Sequence, residues 1–143
     1  MKNTNELRLC FPSHSQNELL ARMAVGGLLL PLDPTVEELT DIKTAVSEAV
    51  TNCIVHAYPD TLGEVRLTAK LRGRRLIVSI KDSGVGIEDV QKAMTPLYTS
   101  AEDGERAGLG FAVMESFMDR LRVRSTPGKG TTVTMEKVLS ERS

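Results

Sequence analysis

The 143-residue chain reads as a two-layer α/β sandwich, a mixed, mainly antiparallel sheet covered on one face by about three helices. Three observations carry this. Alternating apolar residues mark strands in adjacent pairs joined by short turns, which favours antiparallel neighbours. Apolar residues at helical spacing mark three amphipathic segments. The order is strand, two helices, two strands, a loop, a helix and two strands, which lets the helices gather on one side of the sheet.

Leu7, Leu9 and Phe11 alternate with polar residues and predict a first strand, ended by Pro12. Ser15 and Glu18 have the spacing of a capping box, and Leu19, Met23 and Leu30 give a first helix an apolar face. Gly26 and Gly27 weaken that helix unless another backbone packs closely there. Asp33-Pro34 predicts the start of a second helix, with Asp33 as cap and proline in the first position. Leu39, Ile42, Val46, Val50, Cys53 and Ile54 make it the best-marked helix, stopping near Tyr58-Pro59.

A hairpin follows. Val65, Leu67, Ala69 and Leu71 alternate, Arg72-Gly73-Arg74 turns, and Leu76, Val78 and Ile80 alternate again. Glu88 to Met94 has room for a short helix. Thr95 to Gly108 has weak periodicity, Pro96, Gly104 and many charges, and reads as a long mobile loop. A third helix opens at Gly108-Leu109-Gly110, with Val113, Phe117 and Leu121 on its apolar side. Arg122 to Ser125 and Thr131 to Lys137 form the last strand pair around Pro127-Gly128-Lys129-Gly130.

The bulk numbers suit one globular domain: 41% hydrophobic, 26% charged, net charge −1. That balance gives no whole-chain footprint for direct nucleic-acid or membrane binding. Arg72, Arg74 and Arg75 cluster, as do Arg120, Arg122 and Arg124, and both read as solvated strand faces. Cys10 and Cys53 lack disulfide or metal-ligand spacing and read as reduced core thiols of a cytoplasmic protein. No apolar run is long enough to span a bilayer, and the N-terminus has no signal-peptide pattern.

Three motifs carry chemistry. Glu48 and Asn52 are four apart on the second helix and project from one face, where they could offer oxygen ligands to magnesium or a base beside it. Asp82 ends a strand before Ser83-Gly84-Val85-Gly86; a carboxylate there can accept from an exocyclic amine such as that of adenine, and the glycines permit close approach. Gly108-Leu109-Gly110 at a helix start offers amides to an anion, with Arg106 just upstream to reach a terminal phosphate. Each has an ordinary reading taken alone: a solvated helix face, a turn closing a strand, a flexible linker with a surface arginine. The glycines are not a Walker loop, since no lysine-serine/threonine pair follows, and the element order is not a Rossmann unit.

Together and in this order, the motifs resemble the GHKL superfamily of gyrase, Hsp90, histidine kinases and MutL. Glu48 to Asn52 looks like its N box, Asp82 to Gly86 and Gly108 to Gly110 like its two glycine boxes, and Gly130-Thr131-Thr132 like its last nucleotide-contacting segment. A narrower resemblance is to the anti-sigma-F factors of endospore-forming bacteria. It runs through Leu32 to Thr35, Glu38 to Thr40, Ile42 to Thr44, Val46 to Asn52, Pro96 to Thr99 and Met114 to Asp119.

The resemblance implies one GHKL (Bergerat) ATP-binding kinase domain over residues 1–143, with an ATP lid near 95–108. It implies a homodimer that binds sigma factor F and phosphorylates a small anti-anti-sigma protein on serine, using ATP and Mg2+. Glu48 is then the general base, Asn52 the magnesium ligand, Asp82 the adenine reader and Arg106 the γ-phosphate contact. Gly84, Gly86, Thr99, Gly108, Leu109, Gly110 and Thr131 complete the nucleotide contacts, and Arg22 is the partner contact on the first helix. Two readings stand beside this: a nucleotide-gated sigma-binding module with negligible kinase activity, and the related stress-response anti-sigma kinase. Two positions depart from the family: Thr99-Ser100 leads into Ala101-Glu102-Asp103 without a basic residue, and Ala57 stands where a glycine is frequent. With no helix pair bearing an acceptor histidine ahead of the domain, a complete histidine kinase is not expected, and His56 reads as a pocket-edge residue.

Overall fold

The computed structural model describes residues 4–94 and 102–141, with side chains outside 102–108. The elements are β1 (Thr4–Pro12), α1 (Asn17–Leu29), α2 (Val36–Asn52), β2 (Glu64–Arg72), β3 (Arg75–Asp82), α3 (Val90–Met94), α4 (Glu102–Phe117), β4 (Arg120–Thr126) and β5 (Gly130–Val138). The five strands lie in the order β1-β2-β3-β5-β4, and every neighbouring pair is antiparallel. This is the expected two-layer α/β architecture, with a sheet that is antiparallel throughout.

Period-two alternation builds the sheet's inner face. Val65, Leu67, Ala69 and Leu71 of β2 and Leu76, Val78 and Ile80 of β3 are buried under the helices. Gly73 takes φ 60 in the two-residue turn between them, a backbone that favours glycine and fixes the register Arg72↔Arg75. The opposite face carries Arg66, Lys70, Lys81, Arg122 and Arg124, all exposed. The two arginine clusters therefore do lie on solvated strand positions, apart from Arg74, whose guanidinium donates to the Leu32 carbonyl at 3.0 Å.

The second helix is α2, as its spacing predicts. Ile42, Val46 and Val50 are fully buried, each worth about 1.5–3 kcal/mol of apolar transfer. Its cap is not Asp33. Thr35 Oγ1 accepts from Glu38 N at 3.0 Å while Thr35 N donates to Glu38 Oε1 at 2.9 Å, a reciprocal capping box. Asp33 instead ends the short turn Leu30–Leu32 at φ 50, so Pro34 precedes the cap.

Three further expectations are corrected. Ser15 makes no side-chain cap: α1 begins at Asn17 with Gln16 before it, and Glu18 N donates only to the Ser15 carbonyl, at 3.2 Å. Leu19, Met23 and Leu30 do not face the core, because Ala21, Val25, Gly26 and Leu29 do. Gly26 lies close to α2: a Cβ there would come 2.8 Å from Cε of Lys43, the far end of a flexible side chain. Cys10 is exposed, since it points outward from edge strand β1 at an even position, while Cys53 is buried.

α4 starts at Glu102, six residues ahead of Gly108, so part of the expected loop is helical. Gly108 to Gly110 consequently sit inside the helix rather than at its N-terminus. The core face is Phe111, Met114 and Met118; Val113 and Phe117 are only half-buried, and Leu121 belongs to β4.

Candidate functional site

Between α2, α3, α4 and the ends of β3 and β5 lies a cavity of about 520 Å3. Its walls include Asn52, Cys53, His56, Asp82, Gly86, Lys92, Phe111 and Thr131. Size and composition suit a small organic ligand held by a few polar groups.

Asp82 is the polar centre. It ends β3 between Val65 of β2 and Thr131 of β5, and is only 5% exposed. Its Oδ1 accepts from Gly84 N at 3.0 Å and Thr131 N at 3.2 Å, and its Oδ2 accepts from Cys53 Sγ at 3.5 Å. Burial pushes its pKa up, and the bonds from Gly84, Cys53 and Thr131 hold it down. An aspartate kept in place by donors from a loop, a strand and a helical turn has a defined direction in which to accept from a ligand.

The glycines beside it are sites of close backbone approach. A Cβ on Gly84 would collide with the Ala57 carbonyl, and one on Gly86, at φ 77, with the Thr126 carbonyl. Ala57 is tied to the same loop, since Val85 N donates to its carbonyl at 3.1 Å. Tyr58 completes the frame: its hydroxyl donates to the Glu64 carbonyl at 2.8 Å and accepts from Ser83 N at 2.6 Å. Ser125 joins loop to sheet, accepting from Ile87 N at 2.7 Å and lying 2.8 Å from Thr131 Oγ1.

Glu48 and Asn52 share one face of α2, as their spacing predicts, and meet Gly110 of α4. Burial, then the charge of Glu18, pushes the Glu48 carboxyl above its ordinary value. Asn52 Nδ2 is buried with no hydrogen-bond partner among the described residues, a group that a ligand would satisfy. Just after Asn52 the helix widens into a π-helical turn, Cys53–Ala57, of the kind that re-aims side chains at functional sites. It places Cys53 and His56 on the cavity wall.

Of the other expected residues, Gly108 has its backbone inside α4, Leu109 is exposed and Gly110 is buried. Arg106 contributes helical backbone, and its side chain lies outside the described residues, as does Thr99 entirely. Arg22 is half-buried on α1, away from the cavity lining. Sequence reasoning missed Cys53, Tyr58, Ser125 and Phe111 as parts of the site. Cys53 was within reach, since it directly follows Asn52; the others depend on tertiary contacts that spacing does not encode.

No helix among the described residues is long and apolar enough to cross a membrane. A helix-borne Glu-Asn pair whose asparagine lines a cavity, a buried strand-end aspartate in the same wall and glycines at close approaches beside it, under an antiparallel sheet, define an ATP-binding domain of the histidine kinase-like class. The comparisons agree. Residues 17–137 match the Histidine kinase-like ATPase domain family. The chain is 52% identical over 139 residues to the anti-sigma F factor of Thermoanaerobacter pseudethanolicus, covering 97% of each. It is 51% identical to that of Clostridium kluyveri, covering 97% of this chain and 98% of the relative. It also superposes on the structure of the RsbU and RsbW domains of Rv1364c from Mycobacterium tuberculosis with TM-score 0.71 at 20% identity, a likeness of fold. That match covers 97% of this chain and about a third, 34%, of the other. The chain belongs to the anti-sigma F factor family of histidine kinase-like ATPases.

Proposed function

We propose that this chain is an ATP-dependent anti-sigma factor and protein serine kinase. It binds sigma factor F, keeps it from RNA polymerase, and phosphorylates a small anti-anti-sigma protein on serine. The whole chain acts as one kinase domain with a lid near residues 95–108, in the cytoplasm and as a homodimer. The observation that carries the kinase reading is Glu48: a carboxylate with a raised pKa on the same face of α2 as Asn52, which lines the ATPase-type cavity.

In the reaction the substrate serine Oγ forms a bond to the γ-phosphorus of ATP while the bond to the ADP oxygen breaks. Glu48 takes the serine proton, and ADP leaves with the bridging oxygen. Asp82 accepts from the adenine amine and so fixes the nucleotide's register. Asn52 would hold magnesium through its side-chain oxygen, and the ion would supply positive charge against the phosphates. No group of three or more His, Cys, Asp or Glu side chains suited to a metal lies among the described residues, which fits an ion held mainly by phosphate and water oxygens. Arg106, with Thr99 from the lid, completes the phosphate contacts, and Gly108 and Gly110, which carry no side chain, let the phosphates approach α4 closely.

The partner surface is α1. Leu19, Met23 and Leu30 are exposed there beside half-buried Arg22, an apolar stripe of the kind that marks a protein interface.

The test is transfer of label from γ-labelled ATP, with magnesium, to the antagonist, alongside Glu48→Ala. Label that disappears in the variant supports the kinase. Absence of label with ATP binding intact leaves a nucleotide-gated sigma-binding module.

A further inference from the structure

Cys53 is a pocket residue that neither the phosphoryl-transfer chemistry nor the family boxes use. It is 3% exposed, lines the cavity, and lies 3.5 Å from Asp82 Oδ2. The two oxygens of Asp82 are treated differently. Oδ1 holds two backbone N–H donors, from Gly84 and Thr131. Oδ2 has the Cys53 thiol as its donor among the described residues. A carboxylate oxygen accepts more than one bond, so Oδ2 keeps capacity for a ligand in the same cavity.

We infer that Cys53 is a specificity-determining positioning residue: by donating to Asp82 Oδ2 it fixes the carboxylate plane so that the pocket takes a 6-amino purine and rejects a 6-oxo purine. This rests on the reading that Asp82 meets the base of the nucleotide. A 6-amino group donates and suits a fixed carboxylate. A 6-oxo purine presents an acceptor at that position and a donor at N1. A carboxylate free to swing can follow the N1 donor; one held on both oxygens cannot. The thiol is suited to the part because its S–H can donate to the carboxylate oxygen 3.5 Å away. A buried sulfhydryl is also small, so it braces the carboxylate without filling the cavity beside it.

The experiment compares affinities of the full chain for ATP and inosine triphosphate with magnesium, by calorimetry. These nucleotides differ only at the 6-position and N1. In Cys53→Ala the ATP preference falls by about three- to tenfold, the scale of one modest hydrogen bond, while inosine triphosphate affinity holds or rises. Cys53→Ser, which restores a donor, brings the preference back. Cys53→Val, similar in bulk and without a donor, behaves as the alanine variant and serves if alanine loosens the core. An unchanged preference in both donor-less variants overturns the inference, as does an equal loss for both nucleotides, which would mean plain packing. Asp82→Asn separates the two levels. If it abolishes the preference while the Cys53 variants keep it, the role of Cys53 fails alone. If it too leaves the preference intact, the base-reading role of Asp82 fails and the inference with it.

Discussion

Gly110 of α4 stands directly against Glu48 of α2: a Cβ on Gly110 would lie 3.2 Å from Glu48 Oε2 and 3.3 Å from Asn52 Oδ1. The two helices therefore touch at the residues assigned to proton transfer and metal binding. Gly110→Ala makes those side chains shift by a few tenths of an ångström. Displacements of that order at a reacting group are costly to transfer and cheap to folding. Gly110→Ala is expected to melt within about 3 °C of the parent and to transfer phosphate at least about tenfold more slowly. Thermal melting and labelled transfer, run on one preparation, check this. Full transfer would show that α4 moves away from α2 once nucleotide binds.

Glu48 is held where its charge is disfavoured, first by burial and then by Glu18. A carboxyl whose folded pKa lies above its unfolded value stabilises the fold at acid pH, and that stability is lost as pH rises through the two values. At neutral pH the charged Glu48 is therefore a burden on the fold. Glu48→Gln is expected to abolish serine phosphorylation while raising the melting temperature at pH 7 by no more than about 3 °C, since the residue is only half-buried and solvent screens its charge. The gain should vanish toward pH 4. A variant that melts lower at pH 7 would contradict the direction of the shift.

The start of α2 behaves in the opposite sense. Burial alone would raise the Glu38 carboxyl, but hydrogen bonds from Ser140 N, at 2.7 Å, and Thr35 N, at 2.9 Å, bring it down from 4.5 to about 2. Its contribution is present above the unfolded value and disappears as pH falls from about 5 to about 2. Thr35→Ala removes one arm of the box and should cost about 1 kcal/mol. Glu38→Gln also frees the C-terminal segment at Ser140. Melting of parent and Glu38→Gln across pH 7 to 2 should show a gap at neutral pH that closes in acid. A gap that persists at pH 2 would assign the effect to packing.

Elements with a strong period were legible before the fold was known. The β2–β3 hairpin and α2 follow from strict alternation and from Ile42, Val46 and Val50, because one face of each is wet and the other dry. α1 misled for a physical reason: it is apolar on nearly every side, so spacing alone could not choose between Leu19 with Met23 and Ala21 with Val25. The packing of α1 against α2 and β1 chooses, and that packing involves residues from other elements. Asp82, Gly84 and Gly86 were readable as a motif. What makes them a site, the donors from Cys53 and Thr131 and the Tyr58 bridge, comes from residues up to 49 positions away.

The outward stripe on α1 gives the last prediction. Leu19, Met23 and Leu30 are 53%, 59% and 64% exposed, so changing them removes little from the core. A charge there disturbs whatever partner covers the stripe, because an unpaired charge resists desolvation at an interface. Met23→Glu is expected to leave melting within about 0.5 kcal/mol of the parent and ATP affinity unchanged, while weakening sigma-factor binding at least about tenfold. A pull-down or calorimetric titration with the sigma factor, beside an ATP titration, reads both. Arg22→Ala should weaken partner binding with it, since Arg22 lies one residue from Met23 and carries a charge that one face of the helix can offer. Intact sigma binding in Met23→Glu would remove α1 as the docking surface and move the search to edge strand β1, whose outer backbone bonds no other strand of the sheet.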